Sequence, residues 1–341
     1  MKSLLSTSPP THAPSTSQVA GITHRSVLAA TGLLIALGLG GCAGLPAWLG
    51  GPTHAPAVRQ HGQPVEAQAE AIERKEVLVA VTANHRLVTF RADKPQELLS
   101  RVPLTGLLPG EGILGIDHRV ARGELFGLST RGRLLRIDAD SGAVTPVGPG
   151  VKLPPTRAFG FDFNPTVDRI RVVGDRGDNL RLHPDTGAQV DGQPDVDGLQ
   201  PDAPLHYADD DEQAGIAPRV VAAGYTYNKD NEKLTTNYAI DARIGHLVMQ
   251  GSPEGAAPVV SPNTGLLRTV GPLGVHSFDH ASFDIADVNN RAYLVTGRIG
   301  STSSRLYEVD LKTGQAKFIG LIGPAKERDR LGTVLGLSVQ P

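Results

Sequence analysis

The chain has a single cysteine, Cys42, among its 341 residues. That count excludes an internal disulfide framework and any multi-cysteine metal site. It also lacks an excess of charge of either sign, with 33 basic against 35 acidic side chains. Without a basic field, no nucleic-acid partner is expected. No apolar run is long enough to span a bilayer comfortably. Catalytic signatures are missing as well: there is no Gly-x-Ser-x-Gly, no His-Glu-x-x-His and no phosphate-binding loop. No catalytic set, metal site or cofactor is therefore expected.

Glycine and proline are plentiful, with 40 and 26 residues. That load is heavy for a helical protein and natural for many short strands joined by tight turns. Apolar residues make up 40% of the chain, enough to bury the core of one large all-β domain or two ordinary domains.

The N-terminus reads as an address and an anchor. His24 and Arg25 precede the apolar run Val27 to Leu39, which ends in Leu39-Gly40-Gly41-Cys42. The run has the length of a secretory h-region. Leu-Gly-Gly-Cys resembles the lipobox of bacterial lipoproteins, in which the cysteine is acylated and opens the mature chain. Residues 1–41 are accordingly read as a lipoprotein signal peptide and Cys42 as the lipidation site. Acyl chains, at about 0.8 kcal/mol per buried methylene, would hold the protein to the membrane with no transmembrane helix. No Arg-Arg pair precedes the run, which points to the general secretory route. Ala43 in place of Asp, by resemblance to enterobacterial lipoproteins, implies the outer membrane of the cell envelope, facing the periplasm. Residues 42–75 are rich in Pro, Gly, Ala and Gln and read as the acylated cysteine and a flexible tether, with room for a short helix over residues 67–75.

Internal repeats organise the rest. Ile113-Leu114-Gly115-Ile116-Asp117 matches Ala158-Phe159-Gly160-Phe161-Asp162 and Ala281-Ser282-Phe283-Asp284. From each Asp the three copies run without a gap through a turn holding Gly123, Asp168 or Asn290, residue types that tolerate a left-handed conformation. A second strand follows, then a third ending in Ile137-Asp138, Leu182-His183 or Val309-Asp310, and then Gly142, Gly187 or Gly314 at a hairpin into a fourth strand. Residues 219–271 are a looser copy. Residues 77–103 supply only three strands, while Val334 to Ser338 is an orphan first strand at the far end. A closed ring accounts for both and removes exposed edges. Residues 76–341 are thus expected to form an all-β propeller of about five four-stranded blades, closed by the C-terminal strand pairing into the first blade.

The phrase FGFDFNPTVDRIRVVGDRGDNLRLHPDTG, with TANHRLVTF before it and LYEVDLKTG after it, resembles the bacterial domain-of-unknown-function family 4394. The likeness implies secreted or surface proteins of propeller type with no agreed activity. Where the family's hairpin tip reads Thr-Gly-Gln-Asn, this chain has Arg176-Gly177-Asp178-Asn179, so the tip carries little functional weight.

A residue repeated in several blades is read as scaffold, and one peculiar to a single blade as a site candidate. Asp117, Asp162 and Asp284 recur, and are expected to satisfy backbone donors or polar groups of a neighbouring blade. Arg171 stands where Phe126 and Tyr293 occupy the sister blades; with Arg169 two residues away on the same strand face it makes a cationic row suited to a carboxylate or phosphate. Asn164 could line the same mouth, with Asp162. The competing reading pairs these arginines with Asp162 and Asp168 between blades. His276 and His280 with Asp279 and Asp284 run into a strand, where an i, i+4 spacing separates the rings. The acidic residues Asp195, Asp197, Asp202 and 209–212 lack a calcium-loop pattern and read as solvated loops. Gly110-x-Gly112-x-x-Gly115 precedes a strand and opens no helix, unlike a dinucleotide fingerprint. The function expected is a lipid-anchored binding or scaffolding module for a small anionic ligand, a glycan or an envelope protein. The alternative is a propeller hydrolase or lyase acting on sugars or lactones.

Overall fold

A computed structural model of the chain describes residues 66–298 and 300–341. The signal peptide, Cys42 and most of the tether lie outside the described residues. Within them, none of the helices is long and apolar enough to cross a membrane.

The strands form five sheets arranged as the blades of a propeller. Blade one is composite: Val334–Val339 is its innermost strand and pairs antiparallel with Val77–Thr82, Leu337 opposite Ala80, followed by Arg86–Arg91 and Leu98–Pro103. The ring is therefore closed as the displaced terminal strand implies, and the backbone edge of Val77–Thr82 is covered. Blade two runs Ile113–Arg119, Glu124–Ser129, Leu134–Ile137 and Val144–Val147. Blade four runs Val220–Tyr225, Asn237–Asp241, His246–Gln250 and Leu266–Pro272, with the two-residue strand His206–Tyr207 added parallel at its outer edge. Blade five runs His280–Ile285, Ala292–Gly297, Arg305–Val309 and Ala316–Leu321.

Blade three departs from four strands. It has Phe159–Asn164, Arg169–Gly174 and Asn179–Leu182 only. Past its Gly187 hairpin the chain makes single bonds, such as Val190 N–H to Arg181 O at 2.7 Å, and then leaves the edge. After this break the chain crosses between blades three and four, where Asp202 N–H donates to Asn179 O and Ala203 N–H to Asn263 O, both at 3.1 Å.

The segment 66–75 differs from the tether and short helix expected of it. Ala67–Gln68 adds a parallel strand to the outer edge of blade five. Buried Arg74 donates to Glu308 at 2.8 Å, and Glu66 accepts from the Tyr307 hydroxyl at 2.6 Å. This ion pair, the tyrosine hydrogen bond and an edge strand fix these residues where their composition alone suggests a linker.

Turn chemistry and core follow from the repeats. Asp168 and Asn290 adopt φ of 51° and 55°, matching Gly123 at 64° in the sister turn. The inner strands converge so closely that a Cβ on Gly160 would lie 2.6 Å from Ala223 N, and one on Gly115 2.7 Å from Phe161 Cβ. Hence the small residue ahead of each repeated Asp. Apolar clusters fill the layers between blades, for example Leu78, Ala80 and Phe90 of blade one against Tyr293 and Leu306 of blade five. Each buried Leu or Phe among them contributes about 1.5–3 kcal/mol. Apolar side chains, Leu114, Phe159 and Phe161 among them, also narrow the central axis to a void of about 10 Å³.

Candidate functional site

Asn164, Arg169 and Arg171 come together in one cleft of about 490 Å³ on the face of blades three and four. Asn164 and Arg169 face each other across the hairpin as a directly opposed pair. Asn164 Oδ1 accepts from the Thr166 backbone and hydroxyl at 2.9 and 2.7 Å, which shapes the turn. Arg169 donates to the Asp168 carbonyl at 2.8 Å and has no carboxylate partner among the described residues.

Arg171 sits opposite Asp162, the register that sets Phe126 opposite Asp117 and Tyr293 opposite Asp284 in the sister blades. Its guanidinium is nevertheless locked onto neither Asp162 nor Asp168, so the competing reading names the wrong partners. The long side chain reaches outward to Asp202 Oδ2 at 2.6 Å, Asn179 Oδ1 at 2.8 Å, Asn263 Oδ1 at 2.6 Å and the Tyr225 hydroxyl at 3.2 Å. Asp168 is taken by Arg119 instead, at 2.8 Å. With 2% exposure, Arg171 is the floor of the cleft. Asp202, read from sequence as part of a solvated acidic loop, is also buried, and accepts from Arg181 Nε at 2.8 Å as well.

The cleft carries positive charge that its own acids do not cancel. One carboxylate, Asp202, serves two guanidiniums, Arg171 and Arg181. Lys233 on the rim is exposed and has no ion pair among the described residues, while Glu254 is the rim's acid. The Tyr225 hydroxyl accepts from Arg171, and its own hydrogen has no acceptor among the described residues. A buried cationic floor, a tyrosine O–H and two mobile-length cations on the rim suit a carboxylate or phosphate. Neither Arg181 nor Lys233 carries a sequence signal of its own. Arg181 could have been found as the residue directly opposite Arg171 on the next strand.

A second groove of about 780 Å³ runs beneath the Pro149–Pro155 loop to Leu199 and Pro204. It is larger and mainly apolar, although Lys152, Arg176, Asp178 and Asp202 are among its lining residues.

Asp162 does not line the cleft. It belongs to a ring at one end of the central axis, where each repeated Asp accepts from the backbone N–H of the following blade. Asp117 Oδ2 takes Phe163 N–H at 2.8 Å, Asp162 Oδ2 takes Tyr225 N–H at 2.8 Å, and Asp284 Oδ2 takes Val339 N–H at 2.6 Å. This is the scaffold role expected of the three. In the composite blade Ser338 stands at that position and its Oγ takes His118 N–H at 3.1 Å. In blade four the position is Gly224, and Ile285 N–H turns to Asp284 Oδ1 at 2.6 Å. Burial pushes the carboxyls up: Asp284 to about 6 and, with repulsion from neighbouring acids added, Asp117 and Asp162 well above the usual range and Asp287 to about 7. Burial also lowers the His118 ring to about 4.

The remaining motifs settle as structure. Gly110-x-Gly112-x-x-Gly115 leads into Ile113–Arg119, and Gly177 forms the hairpin tip at φ 86°. His276 lies 3.7 Å from Glu66, while His280 opens the inner strand of blade five. Asp210 and Asp211 hold Arg268 and Thr269 at the edge of blade four.

The architecture and site define a five-bladed β-propeller with a cationic cleft between two blades and a carboxylate ring on its axis. Residues 86–331 match the family described as "Domain of unknown function (DUF4394)", and the chain belongs to that family. No curated protein matches it. Among solved structures it is similar to a chain of a nidogen/laminin complex, 10% identical over 78% of this chain and 98% of that one, with a TM-score of 0.41. It is also similar to a putative 6-phosphogluconolactonase from Bacteroides uniformis, 16% identical over 79% and 72% of the two chains, with a TM-score of 0.35. A protein of unknown function from Bacteroides thetaiotaomicron is 13% identical over 75% and 60%, with a TM-score of 0.39.

Proposed function

We propose that the protein is a binding module of the bacterial cell envelope, anchored through acylated Cys42 and presenting its blade three and four cleft to a small anionic ligand. Such a ligand could be free or displayed on a glycan or an envelope protein. The observation that carries this reading is the charge balance of the cleft: Asp202 is shared by Arg171 and Arg181, and Arg169 and Lys233 add cations with no carboxylate partner among the described residues. Its volume of about 490 Å³ suits a small molecule. A hydrolase or lyase working in the central channel is the weaker reading, because a void of about 10 Å³ walled by Leu114, Phe159 and Phe161 leaves no room for a sugar.

The test is titration of the purified protein with phosphate and with a tricarboxylate at low salt, followed by calorimetry. Arg169→Ala and Lys233→Ala are each expected to lower affinity by about 10-fold, the scale of one charge-assisted contact. Unchanged affinity in both variants, or no binding by the parent protein, overturns the site. Anchoring is tested separately: Cys42→Ala is expected to release the protein from the membrane fraction of a bacterial host, and retention there overturns it.

A further inference from the structure

We infer that the carboxylate ring on the propeller axis is a binding site for a hard divalent cation, calcium, held by Asp117, Asp162 and Asp284. Each of the three offers an oxygen within 4.8 Å of the other two. A point shared by three oxygens at that spacing lies at most about 2.8 Å from each, so a slight closure reaches the 2.3–2.6 Å of a calcium bond. The donor set is all carboxyl oxygen, anionic once an ion displaces the protons that burial favours, and it selects calcium or magnesium over zinc or copper. Magnesium needs a tighter and more regular shell than a ring of this width supplies.

Two further observations point to a ligand. Asp162 is 2% exposed, and its Oδ1 is buried with no hydrogen-bond donor among the described residues. A carboxylate oxygen in that position bears the full cost of desolvation unless a cation or a donor meets it. In addition, none of the three carboxylates forms an ion pair with a basic side chain among the described residues, although 18 such pairs are found elsewhere. Two of the three other buried acids have a partner of that kind, Glu111 with Arg133 and Asp202 with two arginines, while Asp241 accepts from the Tyr207 hydroxyl instead.

The surroundings are built as an outer shell. One oxygen of each carboxylate accepts a backbone N–H of the next blade, and Asp117 Oδ1 and Asp284 Oδ1 also accept from His118 and Ile285 N–H, which orients the side chains before any ion arrives. The Ser338 hydroxyl donates to Asp117 Oδ1 at 2.9 Å and meets His118 Nδ1 at 2.9 Å. Gly224 leaves the fifth position without a side chain, and Asp287 stands close enough to act on the ring through its charge. Water would complete the shell on that open side. A cation here would bridge blades two, three and five, whose ligands are far apart in sequence, beside the closing strand. It would therefore lock the ring and not serve the cleft, with which the three aspartates share no residue.

The experiment uses the full-length protein in detergent, stripped with a chelator and titrated with calcium chloride. Calorimetry should give one site per chain, and the melting temperature should climb with the logarithm of calcium concentration. Asp162→Asn keeps the acceptor for Tyr225 N–H and should lower calcium affinity at least about 100-fold. Without calcium that variant should melt no lower than the parent. Absence of binding by the parent overturns the inference. So does equal binding by Asp162→Asn, which would place the ion on surface acids such as Asp209 and Asp210. Should the variant fail to fold, anomalous density from parent crystals grown with calcium decides: a peak between the three carboxylates sustains the site, and none there removes it.

Discussion

Asp202→Asn is the substitution that most directly tests the floor of the cleft. Asp202 is 3% exposed and closes two ion pairs, 2.6 Å to Arg171 and 2.7 Å to Arg181. The amide keeps the shape and removes the charge, leaving the guanidinium of Arg171 buried without a counter-ion. An uncompensated buried charge costs about 3–5 kcal/mol. Arg171 retains neutral acceptors on Asn179, Asn263 and Tyr225, and Arg181 is partly exposed, so the lower end, about 3 kcal/mol, is expected. For a domain of this size that is roughly a 6 °C fall in melting temperature. Urea unfolding followed by circular dichroism gives the free energy directly. Arg181→Ala is the control: Asp202 keeps Arg171, and the loss should stay near 1 kcal/mol, the scale of a partly exposed pair. A cost below about 1 kcal/mol for Asp202→Asn, or an equal cost for Arg181→Ala, refutes the view that Asp202 exists to neutralise Arg171.

Three further outcomes follow from other parts of the ring. The Arg133 guanidinium beside buried Glu111 holds its carboxyl at about 2, below the ordinary 4.5. The stability it supplies is complete above pH 4.5 and is lost as pH falls through 2; urea midpoints measured from pH 6 to pH 2 should show that loss, and Glu111→Gln should flatten it. Asn290, at φ 55°, also clips Tyr227 through bonds of 2.9 and 3.1 Å. Asn290→Ala should cost about 2 kcal/mol and Asn290→Gly about 1, the difference being the left-handed backbone; equal costs would contradict this. Deleting residues 334–341 removes the innermost strand of blade one and exposes the edge of Val77–Thr82. Aggregated product is expected on expression, and a folded monomer would disprove the closure.

Much of the architecture was legible from short-range signals. The small-apolar-Asp phrase marks the inner strands because only small residues fit where they converge, as Gly115 and Gly160 show. Asp168 and Asn290 announced left-handed turns by their residue type. The scaffold role of Asp117, Asp162 and Asp284 was readable from their recurrence, and each does accept a neighbour's backbone N–H. What the repeats hid was their own lapses. Blade three lacks a regular fourth strand, although its Gly187 turn is intact, because the following residues leave the edge after single bonds. The Arg171 anomaly was visible as a cation in an aromatic position. Its partner was not, since Asp202 lies 31 residues on in a loop with no periodicity.

By itself, then, the sequence determined strands, turns, repeat length and the displaced terminal strand, all of which depend on residues within about one hairpin of each other. Only the tertiary structure decided which charges meet. Asp202 reaches Arg171 because blade three's edge opens and lets residues 191–204 fold back over it. Three carboxylates from residues 117, 162 and 284 share one end of the axis because five blades close into a ring, and that closure angle is a property of packing between blades that no single stretch encodes.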